Sequence, residues 1–387
     1  MNLTESLALL RATVDNFSIT NSPLSEAKGH LDHPEDLIFL EGPAGAKRAV
    51  DAIVATVKNP KTVTIKWDGY PALIFGRGSD GKFSIMDKHM FNKKDGSGRL
   101  VHSPQEFVQY DQARGVDRSQ LHALIAEIWS GLEKSSSGSK GYYWGDLLFS
   151  QPLVATNGVY QFRANPNGIT YTVDPESAVG KLMKDKVAGI AVHQQIPPDA
   201  MSTDQAQTLN GTIGNLKNNS DVAIVPSAMP NAPAIKLDTK LVNQANKAIT
   251  QYGNAVEQLM NSAPQARNTF NGLFTTYINK KIVSGDLNNL VDDFMDYVAS
   301  RPMTDTMREK IMTHLQNNTE GIIGAFTIWI ALYQLKMNIV QQLNTAAETS
   351  PVQGYLQDGT QTQEGFVAQG LKFIDRMGFS RQNLAGR

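Results

Sequence analysis

The feature that most constrains the fold is a return of β-strand pattern near the C-terminus, after a long helical stretch. Residues 241–348 carry apolar side chains at helical spacing, whereas residues 364–376 read as a β-hairpin with Gly370 near its turn. A lone hairpin is marginally stable in water, so it must pair with a sheet formed earlier in the chain. We therefore expect an α+β fold in which residues 1–240 and 350–387 form a discontinuous β-rich domain, with residues 241–349 inserted as a helical domain.

The earlier sheet is predicted to begin at residues 62–76 (TVTIKWDGYPALIFG). Alternation along the first strand places Lys66 and Asp68 on one face and Trp67 on the other. A strand holds the Lys66 amine in place, and Gly69 lets a ligand approach the backbone closely. The pattern suits a lysine nucleophile whose amine Asp68 orients. The competing interpretation is an edge strand on which Lys66 and Asp68 are merely solvated.

The composition excludes several kinds of site. The chain has 387 residues, with 36 Lys and Arg against 37 Asp and Glu, so contact with nucleic acid requires a local basic patch. The absence of cysteine excludes disulfides, thiolate zinc sites and cysteine nucleophiles, and it fits a reducing cytoplasm. The most apolar run, residues 321–333, is too short for a membrane span and predicts a buried helix. We expect a soluble cytoplasmic protein with no membrane partner.

Five short motifs follow one another along the predicted strands. They are residues 66–69 (Lys-Trp-Asp-Gly), 87–89 (Asp-Lys-His), 144–147 (Trp-Gly-Asp-Leu), 364–367 (Glu-Gly-Phe-Val) and 371–373 (Leu-Lys-Phe). In this order they resemble the motifs of the covalent nucleotidyltransferases, the superfamily of polynucleotide ligases and mRNA capping enzymes. The resemblance covers only the β-rich part and implies a nucleotidyltransferase fold with ATP-grasp-like antiparallel sheets. Asp146 departs from the pattern, which more commonly has glutamate there.

The resemblance also implies a reaction and a set of site residues. Lys66 would attack the α-phosphate of ATP and form a lysyl–AMP intermediate, with Asp68 beside it. Asp146 and Glu364 would bind a Mg²⁺ ion. The implied nucleotide-binding residues are Gly69, Lys88, Asp146, Glu364, Lys372 and, as a secondary candidate, Lys236.

A second stretch competes for the fourth motif. Residues 187–193 (Val-Ala-Gly-Ile-Ala-Val-His), followed by Lys236, match its apolar pattern, but Ala188 stands where a metal-binding glutamate is expected. We therefore favour the C-terminal copy. His193 ends this stretch and could face a pocket, although a hydrogen-bonded structural histidine is the preferred interpretation.

The register of the terminal hairpin is open. A three-residue loop at residues 367–369 sets Glu364 opposite Lys372 on one face. A two-residue loop at Gln369 and Gly370 puts these two side chains on opposite faces.

The densest basic cluster follows the second predicted hairpin. Lys93, Lys94 and Arg99 could contact a phosphate backbone, and a solvated loop is the alternative interpretation. Few residues follow Arg376, so an OB domain like that of DNA ligases and capping enzymes is not expected after the ribbon. By analogy this favours an RNA-ligase-like enzyme acting on RNA rather than DNA. The chain would suit a phage-encoded repair enzyme, which would act in the host cytoplasm.

Residues 30–36 (His-Leu-Asp-His-Pro-Glu-Asp) concentrate possible metal ligands. We favour a helix start at Pro34, with the acids near the helix N-terminus.

Two other functional classes remain open. Asp146 and the ambiguous fourth motif would also fit a nucleotide- or nucleic-acid-binding module of the same fold that has lost catalysis. Alternatively, the motif matches are accidental and the chain is an interaction protein that acts through its helical part.

Overall fold

The computed structural model describes residues 31–165, 168–227, 229, 234–264, 267–356, 359–361 and 365–378. The protein is α+β, with a helical layer and three separate sheets. Within the described part, the strand pairs are antiparallel except that of β10 with β8.

The helices follow the apolar periodicity of the sequence. They are α1 (Leu37–Glu41), α2 (Pro43–Lys58), α3 (Lys88–Phe91), α4 (Pro104–Ala113), α5 (Ser119–Ser135), α6 (Ala178–Met183), α7 (Thr239–Asn261), α8 (Arg267–Ser284), α9 (Leu290–Ala299), α10 (Asp305–Asn317) and α11 (Thr319–Ala347). Side-chain caps fix several starts. Asp238 accepts hydrogen bonds from Lys240 N and Leu241 N, and Thr304 caps α10 in the same way through Met307 N.

The strands form three sheets. They are β1 (Thr64–Ile65), β2 (Ala72–Arg77), β3 (Phe83–Met86), β4 (Gly141–Phe149), β5 (Ala155–Thr156), β6 (Val159–Arg163), β7 (Thr170–Val173), β8 (Ala188–Ile196), β9 (Gln207–Thr208), β10 (Val222–Pro226), β11 (Val352–Tyr355), β12 (Phe366–Ala368) and β13 (Leu371–Phe373). One sheet has the order β10-β8-β4-β2-β3, with β9 added to β8. The others have the orders β1-β12-β13 and β11-β7-β6-β5.

The six-stranded sheet is built around β4. Its residues (Gly-Tyr-Tyr-Trp-Gly-Asp-Leu-Leu-Phe) are almost all buried, as in a strand covered on both faces. Helix α5 packs against β2, β3 and β10 and contributes Ile125, Ile128 and Leu132 to the hydrophobic core shared with this sheet.

The expected pairing of the terminal hairpin is confirmed. Strand β12 pairs with β1, with Thr64 opposite Val367, and with β13, with Val367 opposite Lys372. The ribbon uses the two-residue turn, and both turn residues have positive φ, 52° at Gln369 and 70° at Gly370. Of the two registers that the sequence left open, the structure adopts this one.

The helices of residues 241–349 share a core with the N-terminal helices. Phe39 of α1 stacks on Phe274 of α8 with ring centres 5.3 Å apart, and Trp329 of α11 donates to Asp36 at 2.9 Å. One hydrophobic cluster runs through α1, α2, the terminal ribbon and α7 to α11. The expected boundaries at 241 and 349 therefore cross a continuous core, because amphipathic helices bury their apolar faces against whichever elements lie closest.

Helix α11 is long and apolar enough in composition to cross a membrane, but 78% of its most apolar window is buried inside the protein. It is longer than the predicted apolar run. Its burial is that of a core helix in a soluble protein.

Candidate active site

A pocket of about 320 Å³ is lined by residues of both the six-stranded and the three-stranded sheet. Strand register explains which side chains reach it, because residues paired across neighbouring strands point to the same face. The rows that line the pocket are Ala72, Asp146 and Ala191 on the first sheet, and Thr64, Val367 and Lys372 on the second.

Two lysines from distant parts of the chain meet in this pocket. Lys66 follows β1 directly, and its backbone N–H donates to the carbonyl of Gly365 at 2.9 Å. Lys372 enters from β13, with its own N–H bonded to the carbonyl of Asp32 at 2.9 Å. The terminal ribbon therefore fixes the backbone of both residues. Two cations in one pocket favour an anionic ligand such as a phosphate chain.

A β-bulge shapes the opposite wall. Trp144 of β4 pairs with Gln194 of β8, but the next pair along the strands skips His193. The extra residue lets both His193 and Gln194 line the pocket, which regular alternation would forbid. His193 Nε2 lies 3.4 Å from the Asp146 carboxylate.

Gly69 and Lys88 lie against the wall that Asp146 and Trp144 form. A Cβ at Gly69 would lie 2.6 Å from the Cβ of Asp146 and 2.7 Å from the carbonyl oxygen of Leu147. Only glycine therefore lets the segment after Lys66 pack directly on β4. The Lys88 ammonium lies 5.2 Å from the centre of the Trp144 ring, a cation–π distance.

Asp68 has a different environment from the one expected. Its carboxylate accepts hydrogen bonds from Asn165 Nδ2 at 3.1 Å and from the backbone of Ile169 at 3.3 Å. Its own N–H donates to the hydroxyl of Tyr171 at 2.7 Å. Because β1 ends at Ile65, alternation does not carry Asp68 into the pocket. This geometry assigns Asp68 to holding the β6–β7 hairpin, rather than to orienting the Lys66 amine.

The basic cluster lies around α3, apart from the pocket lining. Lys93 pairs with Asp95 at 3.3 Å, and Lys94 is exposed. Arg99 donates a hydrogen bond to the carbonyl of Phe91 at 2.6 Å and so stabilises its own loop. Of these three predicted contacts, Lys94 is the most accessible to a phosphate backbone.

One more predicted residue, Lys236, is not part of the pocket lining. Lys236 is exposed, and its backbone N–H and carbonyl both bond the side chain of Gln342, at 2.8 and 2.9 Å. Glu364 lies outside the described residues.

The sequence did not predict part of the pocket lining, and it favoured a structural role for His193, which lines the pocket. Gln194, Thr208 and Asn210 all line it, and none of them belongs to a motif. The available signal was the appearance of polar residues at the end of an otherwise apolar strand. The bulge that brings them together cannot be read from alternation.

A Ser–His–Asp arrangement occurs elsewhere in the described structure. Ser84 Oγ lies 3.0 Å from His102 Nδ1, and His102 Nε2 lies 3.7 Å from an Asp80 carboxylate oxygen. Ser84 is fully buried, with 0% exposure. No substrate can reach the Ser84 hydroxyl in this structure, so these contacts stabilise β3.

Comparison with known proteins gives one match. The model of a family of unknown function, DUF6267, matches residues 28–387. The chain belongs to this family. The DUF6267 match contains every segment that lines the pocket, from Leu31 to Lys372, so the site lies inside the family domain. No curated protein and no solved structure matches the chain.

Proposed function

We propose that the protein is an ATP-dependent nucleotidyltransferase that forms lysyl–AMP at Lys66 and then joins polynucleotide ends, RNA in preference to DNA. The observation that carries the proposal is that Lys66, Asp146 and Lys372 line one pocket although they come from distant segments. The pocket volume of about 320 Å³ falls within the range of small-molecule sites, about 300–1,000 Å³. Antiparallel pairing of β2, β4 and β8 beside the pocket is compatible with a nucleotidyltransferase fold.

The first step is attack by the Lys66 amine, after loss of its proton, on the α-phosphorus of ATP. A nitrogen–phosphorus bond forms, the bond to the bridging α–β oxygen breaks, and pyrophosphate leaves with the electron pair. Lys372, on β13 of the same three-stranded sheet, stabilises the charge that develops on the phosphate oxygens. Backbone bonds from Gly365 and Asp32 keep both lysines in place, which limits the reorganisation needed at the moment of reaction.

The second step passes the nucleotide on. An oxygen of a polynucleotide 5′-phosphate attacks the same phosphorus, and the bond to Lys66 breaks, which restores the free amine. A 3′-hydroxyl then attacks the activated 5′-phosphate, and AMP leaves as the new phosphodiester forms. The accessible Lys94 and the neighbouring Lys93 are the proposed contacts for the nucleic-acid backbone. The expected compartment is the cytoplasm.

The donor set is compatible with Mg²⁺. Among the described residues, no three His, Cys, Asp or Glu side chains cluster as a metal site. Mg²⁺ commonly binds through one or two carboxylates together with substrate phosphates and water, and Asp146 offers one carboxylate in the pocket. Bound there, the ion would neutralise charge on the phosphates.

The proposal is tested by incubating the full chain with ATP labelled at the α-phosphate, with Mg²⁺, and running a denaturing gel. The wild type should retain label, and Lys66→Ala should retain none. Lys61→Ala is the matched control, because Lys61 is exposed in the turn before β1, and it should label like the wild type. Lys372→Ala should slow labelling by about a hundredfold or more. Conversion of nicked 5′-phosphorylated RNA into a longer product tests the joining step.

The second candidate is a nucleotide-binding module without transfer. If β8 carries the fourth motif in place of the C-terminal copy, Ala188 stands where the metal-binding glutamate is expected, and this favours the second candidate. It predicts ATP binding with no label on Lys66. If the protein neither binds nor transfers nucleotides, both candidate functions are contradicted, and an interaction role for the helical part remains.

A further inference from the structure

Gln194 presents an unusual group to the pocket. Its side chain lines the cavity, yet the residue is only 5% exposed. Within the described ranges, no residue hydrogen-bonds to its side-chain amide. Its amide nitrogen and oxygen are not among the fully buried atoms without a partner, so they face the open pocket, where a ligand can bond them in place of water.

The residues around Gln194 suit a planar ring that carries hydrogen-bonding groups, such as a nucleobase. Register places it in a row with Trp144 on β4 and Thr208 on β9, and all three line the pocket. Trp144 supplies an aromatic side chain of the kind against which nucleobases pack. Gln195, the next residue, bonds the carbonyl of Lys140 at 3.4 Å instead, and it is Gln194 that lines the pocket.

We propose that Gln194 recognises the hydrogen-bonding edge of the bound base and selects adenine over guanine. This inference rests on the proposed function in that it takes the ligand to be a nucleoside triphosphate. It adds a specificity-determining residue and the identity of the base that the residue reads.

The selection follows from the groups on each base. A glutamine amide offers one acceptor and one donor, and adenine offers the complement, its N6 amine beside a ring-nitrogen acceptor. On the pairing edge of guanine, O6 and N1–H can meet the same amide, but the N2 amine lies beyond its reach. The other edge of guanine presents two acceptors, N7 and O6, and the glutamine oxygen would face one of them. An unmatched polar group in a buried pocket lowers affinity.

The test measures the ratio of kcat/KM for ATP and GTP in lysyl–nucleotide formation by the full-length protein. We expect the wild type to favour ATP by about tenfold or more. Gln194→Glu offers only acceptors, which suit the adjacent N1–H and N2 amine of guanine, so the ratio should fall by about tenfold or more. Gln194→Met keeps the volume without the amide and should bring the ratio close to one. Gln195→Glu is the matched control, the same substitution one residue along, and should keep the wild-type ratio.

A second probe is purine riboside triphosphate, which lacks the N6 amine. The wild type should discriminate against it relative to ATP, and Gln194→Met should not. Unchanged ratios in both Gln194 variants, for both pairs of nucleotides, would overturn the inference.

The outcomes separate this inference from the proposed function. If the wild type forms no adduct, the same ratios are measured as dissociation constants by equilibrium dialysis. If no adduct forms but the base preference in binding depends on Gln194, the result contradicts the proposed transfer reaction and supports the inference about Gln194. No binding of any of the three nucleotides overturns both.

Discussion

Glu35 and Lys336, 301 positions apart in sequence, form an ion pair of 2.6 Å in which both side chains are 0% exposed. Arg376 joins them, 3.2 Å from Glu35 and 2.9 Å from Asp36. The predicted helix start at Pro34 is a short 3₁₀ turn, and its acids bind these distant cations instead of serving as a cap. Because the next residues toward the N-terminus hold Lys372 through the Asp32 carbonyl, the ion cluster also supports the pocket.

The first prediction concerns this ion pair. Lys336→Met leaves the Glu35 carboxylate buried without its closest cation, which should lower the free energy of unfolding by about 3–5 kcal/mol. Urea denaturation measures the change, and Lys310→Met, at an exposed site on α10, is the control. Adding Glu35→Gln to Lys336→Met should recover part of the loss. A loss below about 1 kcal/mol would contradict this account.

The second prediction concerns pH. Burial lowers the pKa of His33 from 6.5 to about 3, with Glu35 opposing the shift and Arg376 adding to it. In the unfolded chain His33 binds a proton near pH 6.5, whereas in the folded protein it binds one only near pH 3. The free energy of unfolding should therefore fall as the pH drops from about 6.5 to about 3. From pH 6.5 to 5, the unfolding free energy of the wild type should decrease more steeply than that of His33→Gln, by at most about 1.4 kcal/mol per pH unit. Equal slopes would show that His33 is not the group responsible.

The third prediction concerns Gly69. Gly69→Ala would put a methyl group 2.6 Å from the Cβ of Asp146, so the segment that carries Lys66 must move away from β4. We expect a loss of about 1–3 kcal/mol in stability. We also expect at least about a tenfold loss in the rate of adduct formation, because small displacements of a nucleophile are costly. Gly138→Ala, where a methyl group meets open space, is the control for both measurements. An unchanged rate would mean that the Gly69 contact does not position Lys66.

The fourth prediction separates two roles for Asp68. Asp68→Ala removes the hydrogen bonds to Asn165 and Ile169, so it should lower the free energy of unfolding by about 1–3 kcal/mol. Adduct formation, measured well below the melting temperature, should fall by less than about tenfold. A loss of a hundredfold or more with unchanged stability would instead support the role that the sequence suggested for Asp68.

Local periodicity was sufficient for most elements. The helices between Thr239 and Ala347 lie within the stretch that apolar spacing predicted to be helical, and β2 begins within the predicted residues 62–76. Lys66, Asp146 and Lys372, which come from three of the motifs, line one pocket. Whether that pocket transfers nucleotides stays a prediction.

The sequence by itself determined which segments are helices or strands, and that the terminal ribbon needed a partner. Only the tertiary structure decided that β1 stops before Lys66, that a bulge at His193 brings Gln194 into the pocket, and that Glu35 meets Lys336. The reason is physical: periodicity records which face of an element is buried, and that is a local property. Strand register, bulges and buried ion pairs depend on elements that lie far apart in the sequence, and no local pattern carries that information.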